Sequence, residues 1–136
     1  MGEAAGAINY LAVLAAAASA FALGAIWYAP QVFGKAWMKE AGVTEESAKG
    51  RNFAMIMGGA FALSLVAAFV FAMFVGPSPD LVFATMAGLS AGLCWVGASF
   101  GINYLFEGKS LKLFLINGGY HTVQFTLYGV VLGLWH

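Results

Sequence analysis

The sequence predicts an all-α integral membrane protein, a four-helix transmembrane bundle forming one domain over residues 1–136. Three observations predict it. Of the 136 residues, 62% are hydrophobic and 9% are charged, whereas a soluble domain carries about 25% charged residues. Four apolar segments, at about 5–28, 53–76, 81–105 and 111–135, each hold at least 20 residues, enough to cross about 30 Å of hydrocarbon. The charged side chains fall at the ends of these segments and between them.

Composition also excludes several classes. The formal net charge is zero, so there is no basic surface for nucleic acid. One cysteine, Cys94, makes neither an internal disulfide nor a thiolate metal cluster. Met1-Gly2-Glu3-Ala4 lacks the basic region of a signal peptide, so the first apolar segment is expected to be retained. Position 6 is glycine where a myristoylation signal needs Ser or Thr.

All six cationic residues lie in or beside the first and third loops: Lys35, Lys39, Lys49 and Arg51, then Lys109 and Lys112. Cytoplasmic loops carry the excess of Lys and Arg. With four spans, loops 1 and 3 are therefore expected in the cytoplasm and both termini outside.

The first segment ends in Trp27-Tyr28-Ala29-Pro30. Trp and Tyr favour the membrane interface, and Pro30 disfavours helix before it and opens a new one. Phe33 and Trp37 then share a face opposite Lys35 and Lys39. This is the pattern of a short helix lying on the membrane surface. Trp27, Tyr28, Pro30, Phe33 and Trp37 are thus an expected interfacial anchor. Gly42 is placed to end that helix, and Thr44 to cap another that begins with Glu45 and Glu46 and runs to Lys49.

Small residues recur at every fourth position: Ala12, Ala16, Ala20 and Gly24 in the first segment, and Ala60, Ser64, Ala68, Ala72 and Gly76 in the second. Ala84, Gly88 and Gly92 follow in the third, with Gly129 and Gly133 in the fourth. Such stripes let helices approach closely in lipid. Gly24, Ser64, Gly88, Gly92, Gly129 and Gly133 are the expected packing contacts. The third segment has one bulky face (Val82, Met86, Leu89, Leu93, Val96, Phe100 and Tyr104) on an otherwise small circumference. That surface is wider than one neighbour covers, which favours further partners.

The segments also hint at duplication. Gly24-Ala25-Ile26-Trp27 pairs with Gly97-Ala98-Ser99-Phe100, and Ile56-Met57-Gly58-Gly59 with Ile116-Asn117-Gly118-Gly119. Two hairpins of like orientation imply a pseudo-two-fold along the membrane normal. In that alignment Asn117, His121, Gln124 and Tyr128 replace Met57, Phe61, Ser64 and Ala68.

These four residues share one arc of the fourth helix, at about 100° per residue. Polar groups in hydrocarbon are costly unless they face protein or water. With Asn103 at a neighbouring depth, they form a candidate intramembrane polar cluster. It admits three readings: a hydrogen-bonded link between helices, a pathway for a proton, ion or small solute, or a metal or haem ligand at His121. No Asp, Glu, Lys or Arg lies deep in a span, which argues against a strongly ion-coupled pump. Catalytic motifs are absent, so no enzyme activity, catalytic residue, metal or cofactor is expected.

Three patterns together resemble a known family: Gly24-x-x-Trp27-Tyr28-x-Pro30-x-x-Phe33-Gly34-Lys35-x-Trp37-Met38, then Gly42-Val43-Thr44-Glu45-Glu46, and Gly119-Tyr120-His121 ahead of a terminal Trp. The chain is similar to the bacterial domain-of-unknown-function family 1761. The resemblance implies a small four-span protein of the bacterial inner membrane and brings no activity with it. The function expected is non-catalytic: a lipid-embedded protein acting by helix packing, as a homo-oligomer or an accessory subunit among other membrane subunits. The alternative is a channel or transporter that uses the polar face of the fourth helix.

Overall fold

The computed structural model describes residues 7–136. The start of the first apolar segment, residues 5 and 6, and the N-terminal tail lie outside the described residues. Among those described, all regular structure is helical. Helix α1 (Tyr10–Trp27) leads through a π-helical turn (Pro30–Gly34) into α2 (Lys35–Ala41), and α3 (Glu45–Lys49) follows. Three longer helices complete the chain: α4 (Phe53–Val75), α5 (Leu81–Glu107) and α6 (Leu111–Leu134). Helices α1, α4 and α5 are long and apolar enough to cross a membrane.

Each long helix, and α3, starts where a short polar side chain replaces a missing backbone partner. The side chains of Asn9, Asn52, Asp80 and Ser110 accept from the backbone N–H three residues on, each at 3.1 Å. Thr44 and Ser47 cap α3 reciprocally. Glycines in the left-handed region end α2 at Gly42 (φ 73°) and α5 at Gly108 (φ 69°). The caps start α1 at Tyr10 and end α5 at Glu107.

Helix α5 contains a feature that periodicity did not show. From Ala91 to Gly97 it widens into a π-helical stretch. Here two glycines, Gly92 and Gly97, lie buried against α6. π-bulges in α-helices are often found at functional sites.

The long helices lie side by side in the order α4, α1, α6, α5. Helix α6 packs against α1 on one side and along α5 on the other, and α4 packs on α1. Helices α4 and α5 scarcely touch. A pseudo-two-fold between hairpins would match the α1–α6 contact with one between α5 and α4, so the packing departs from the symmetry implied by the sequence repeat. The glycine pairs diverge in the same way. A Cβ on Gly119 would meet Trp27 and one on Gly118 would meet Phe114, while Gly58 and Gly59 face open space.

The core is built from small residues. Ala12, Ala16, Ala17 and Ala20 of α1 are fully buried, as are Ala68 of α4 and Tyr128 of α6. Bulk points outward instead: Val82, Met86, Leu93 and Phe106 of α5 are mostly exposed. An apolar exterior around a small-residue interior suits helix association in lipid, where close backbone contact supplies the attraction.

Candidate functional site

The site is the polar face of α6, and glycines set its position. A Cβ on Gly88 would run into the Phe125 carbonyl, and one on Gly129 into the Ala84 carbonyl. At Gly92 it would come within 2.6 Å of the His121 oxygen, and at Gly133 within 2.8 Å of the Leu81 Cα. These four glycines interlock α5 and α6 in backbone contact along their length. Gly24 faces the Tyr120 ring. The predicted packing residues therefore meet partners within the chain.

Held in this way, α6 sends a chain of hydrogen bonds across the core. The His121 imidazole Nδ1 lies 2.5 Å from Gln124 Oε1. An amide oxygen only accepts, so Nδ1 carries the proton. Gln124 Nε2 donates to the Tyr128 hydroxyl at 2.7 Å. The Tyr128 and Ser64 hydroxyls lie 2.7 Å apart, and either can donate, since Ser64 Oγ also reaches the Ala17 carbonyl at 3.4 Å and the Tyr128 hydroxyl the Ser64 carbonyl at 3.3 Å. The chain begins on α6, crosses to α4 at Ser64 and ends on a backbone oxygen of α1. Tyr128, Gln124 and Ser64 are 0%, 7% and 8% exposed. On the near side, the His121 ring stacks on Phe100 at 4.9 Å between centroids.

A second group forms where α1 gives way to the π-helical turn. Trp27 Nε1 donates to the Ile116 carbonyl at 2.9 Å. The Tyr28 hydroxyl donates to Asn117 Oδ1 at 2.6 Å, and Asn117 Nδ2 donates to the Tyr104 hydroxyl at 2.8 Å. Tyr120 reaches the Ala20 carbonyl at 2.9 Å. Asn117 thus joins α1, α5 and α6 with both ends of one amide.

Phe33 packs on Trp27 at 4.9 Å and Trp37 on Tyr28 at 5.8 Å. The expected interfacial anchor is consequently docked on the protein through Trp27 and Tyr28. Pro30 opens the turn that brings the chain back, and the Gly34 N–H bonds the Ala29 carbonyl at 2.9 Å. A Cβ on Gly34 would collide with the Tyr28 carbonyl.

The predicted cluster divides into two groups and loses one member. Asn117 belongs to the aromatic end, and His121, Gln124 and Tyr128 to the buried chain. Asn103 joins neither: its side chain is exposed and makes no hydrogen bond among the described residues. It lies on the outer face of α5, away from Tyr104, which faces α6. Sequence reasoning missed the hydroxyls of Tyr104 and Tyr120; Ser64 was visible as a small packing residue at the depth of His121 and Gln124. Tyr104 recurs at helical spacing after Phe100, so it looked like one more bulky residue.

Chemically, both groups hold helices together. No three His, Cys, Asp or Glu side chains among the described residues come together as a metal site. An apolar groove of about 640 Å³ between α4 and α5 is lined by residues including Val66, Phe71, Phe74, Phe83 and Phe125, and by none of the four polar residues of α6.

Residues 11–133 match the family described as "Protein of unknown function (DUF1761)". No curated protein and no solved structure matches the chain.

Proposed function

The chain belongs to the DUF1761 family of proteins of unknown function, and we propose that it is a four-span protein acting through assembly. It serves as a homo-oligomer or as a small accessory subunit of a larger membrane complex, without catalysing a reaction. Helix α6 supplies the fourth span. It is less apolar than its neighbours but lies between α1 and α5, both long and apolar enough to cross, so it shares their depth. Its polar face turns inward, as intramembrane polar groups do. The cationic loops put loops 1 and 3 in the cytoplasm of a bacterial inner membrane and both termini outside.

One observation carries the reading: Asn117, Gln124 and Tyr128 of α6 are bonded within the chain, and His121 is bonded through Nδ1. Gln124, Tyr128 and Ser64 bond one another in a buried core, and Asn117 is bound at both ends of its amide. A conduit needs such groups facing water. What the helices present outward is mostly apolar surface.

The test is the mass of the full chain extracted from its membrane into lipid nanodiscs. The proposal expects a particle holding more than one chain, or this chain with other subunits. A lone chain overturns it. So does proton or small-solute flux in liposomes that falls on His121→Ala.

A further inference from the structure

Three side chains on α5 are out of place for a helix that crosses a membrane. Trp95 is the fifteenth of the 27 residues from Leu81 to Glu107, at the middle of the helix, and is 71% exposed. Tryptophan favours the membrane interfaces, not the centre. Ser99 and Asn103 follow at intervals of four and are also exposed. The three line one shallow surface depression with Val96 and Phe100. Among the described residues none of the three side chains makes a hydrogen bond. Every other Asn in the described spans and their caps is bonded: Asn9, Asn52 and Asn117. Lipid offers no partner for an indole N–H, a hydroxyl or a carboxamide.

We propose that this face is the contact between two copies of the chain, related by a two-fold axis along the membrane normal. The inference rests on the assembly reading and names its surface. Its argument is self-complementarity. Copies inserted the same way place each residue opposite itself at the same depth. Asn and Ser both donate and accept, so Asn103 meets Asn103 of the second copy in a reciprocal amide pair, and Ser99 meets Ser99. Trp95 donates only, and Ser99 of the second copy, about one turn (5.4 Å) along, offers it an oxygen. No partner of different chemistry is required, and a face of lone polar groups is the kind that associates helices in lipid.

The native sequence favours the experiment, because Cys94 is the one thiol. The full chain carrying Cys94→Ala with either Ser99→Cys or Asn103→Cys is reconstituted in liposomes and oxidised. Each variant is expected to give a disulfide-linked dimer. Leu63→Cys, on the exposed surface of α4, is expected not to. Asn103→Leu is expected to weaken dimerisation roughly tenfold, read by single-molecule photobleaching, with the helical circular dichroism unchanged.

If the particle is oligomeric but neither α5 thiol cross-links, this face is wrong and the assembly reading stands. If Leu63→Cys cross-links equally, the contact is random collision and the inference fails. A particle holding one chain and a different protein overturns the self-contact alone. A lone chain overturns both.

Discussion

The Tyr128 hydroxyl is the junction through which α6 holds α4, and Tyr128→Phe removes it while keeping the ring. The ring is fully buried, with Phe71 and Phe125 at 6.4 Å and 5.1 Å between centroids, so its packing survives. What is lost is two 2.7 Å bonds, one from Gln124 Nε2 and one with Ser64 Oγ, and a longer 3.3 Å contact with the Ser64 carbonyl. Hydrogen bonds between membrane helices contribute about 0.6 kcal/mol each on average, which gives about 1.2 kcal/mol for the two. The Gln124 N–H, in a residue 7% exposed, is then left unpaired, adding about 1 kcal/mol. A loss of about 2 kcal/mol is expected. The assay is reversible unfolding in mixed micelles, run as a double-mutant cycle with Ser64→Ala. Coupling between the two sites should fall at about 0.6–1.7 kcal/mol. Tyr128→Phe within about 0.3 kcal/mol of the native chain, or full additivity with Ser64→Ala, would refute the chain of bonds.

The glycine interlock gives further predictions. Gly88→Ala and Gly129→Ala each drive a Cβ into a facing backbone carbonyl and should destabilise the fold by about 2–3 kcal/mol, while Gly58→Ala, in open space, should be neutral or stabilising by about 0.5–1 kcal/mol. The same unfolding assay separates them, and equal effects at all three would contradict the packing. Gly34→Ala, which strikes the Tyr28–Ala29 backbone, should release α2 from Trp27 and Tyr28 and hasten trypsin cleavage at Lys35 and Lys39, with the unfolding midpoint of the long helices little changed.

Much of the architecture could be read in the sequence because solvent dictates it. Apolar length set the long helices, and Gly42 and Thr44 marked the end of α2 and the start of α3 by cap chemistry. Small-residue spacing exposed the faces that meet, as Ala12, Ala16 and Ala20 or Gly88 and Gly129 show. Which helix lies beside which could not be read, because lipid and protein interior are equally apolar. Both α1 and α5 offered small faces to α6, and nothing in the alanine pattern says that α4 and α5 stay apart. The polar residues of α6 were visible, but their division was not. Asn117 and His121 are one turn apart and point to different partners, because Tyr28 and Tyr104 reach the first and Gln124 the second. The π-helical stretch at Ala91–Gly97 left no periodic signature. It coincides with the close approach of Gly92 to the α6 backbone, which is a tertiary feature.

The central claim is that the polar face of α6 is closed upon itself and dry. The most direct measurement is ¹⁵N solid-state NMR of the histidine-labelled chain in bilayers, with His136→Gln leaving His121 as the single imidazole. The account predicts one tautomer, protonated at Nδ1, with no magnetisation transfer from water to that proton. An imidazole protonated at Nε2 would contradict the bond from His121 Nδ1 to Gln124 Oε1. A proton in exchange with water would contradict the account and place His121 on a wet path.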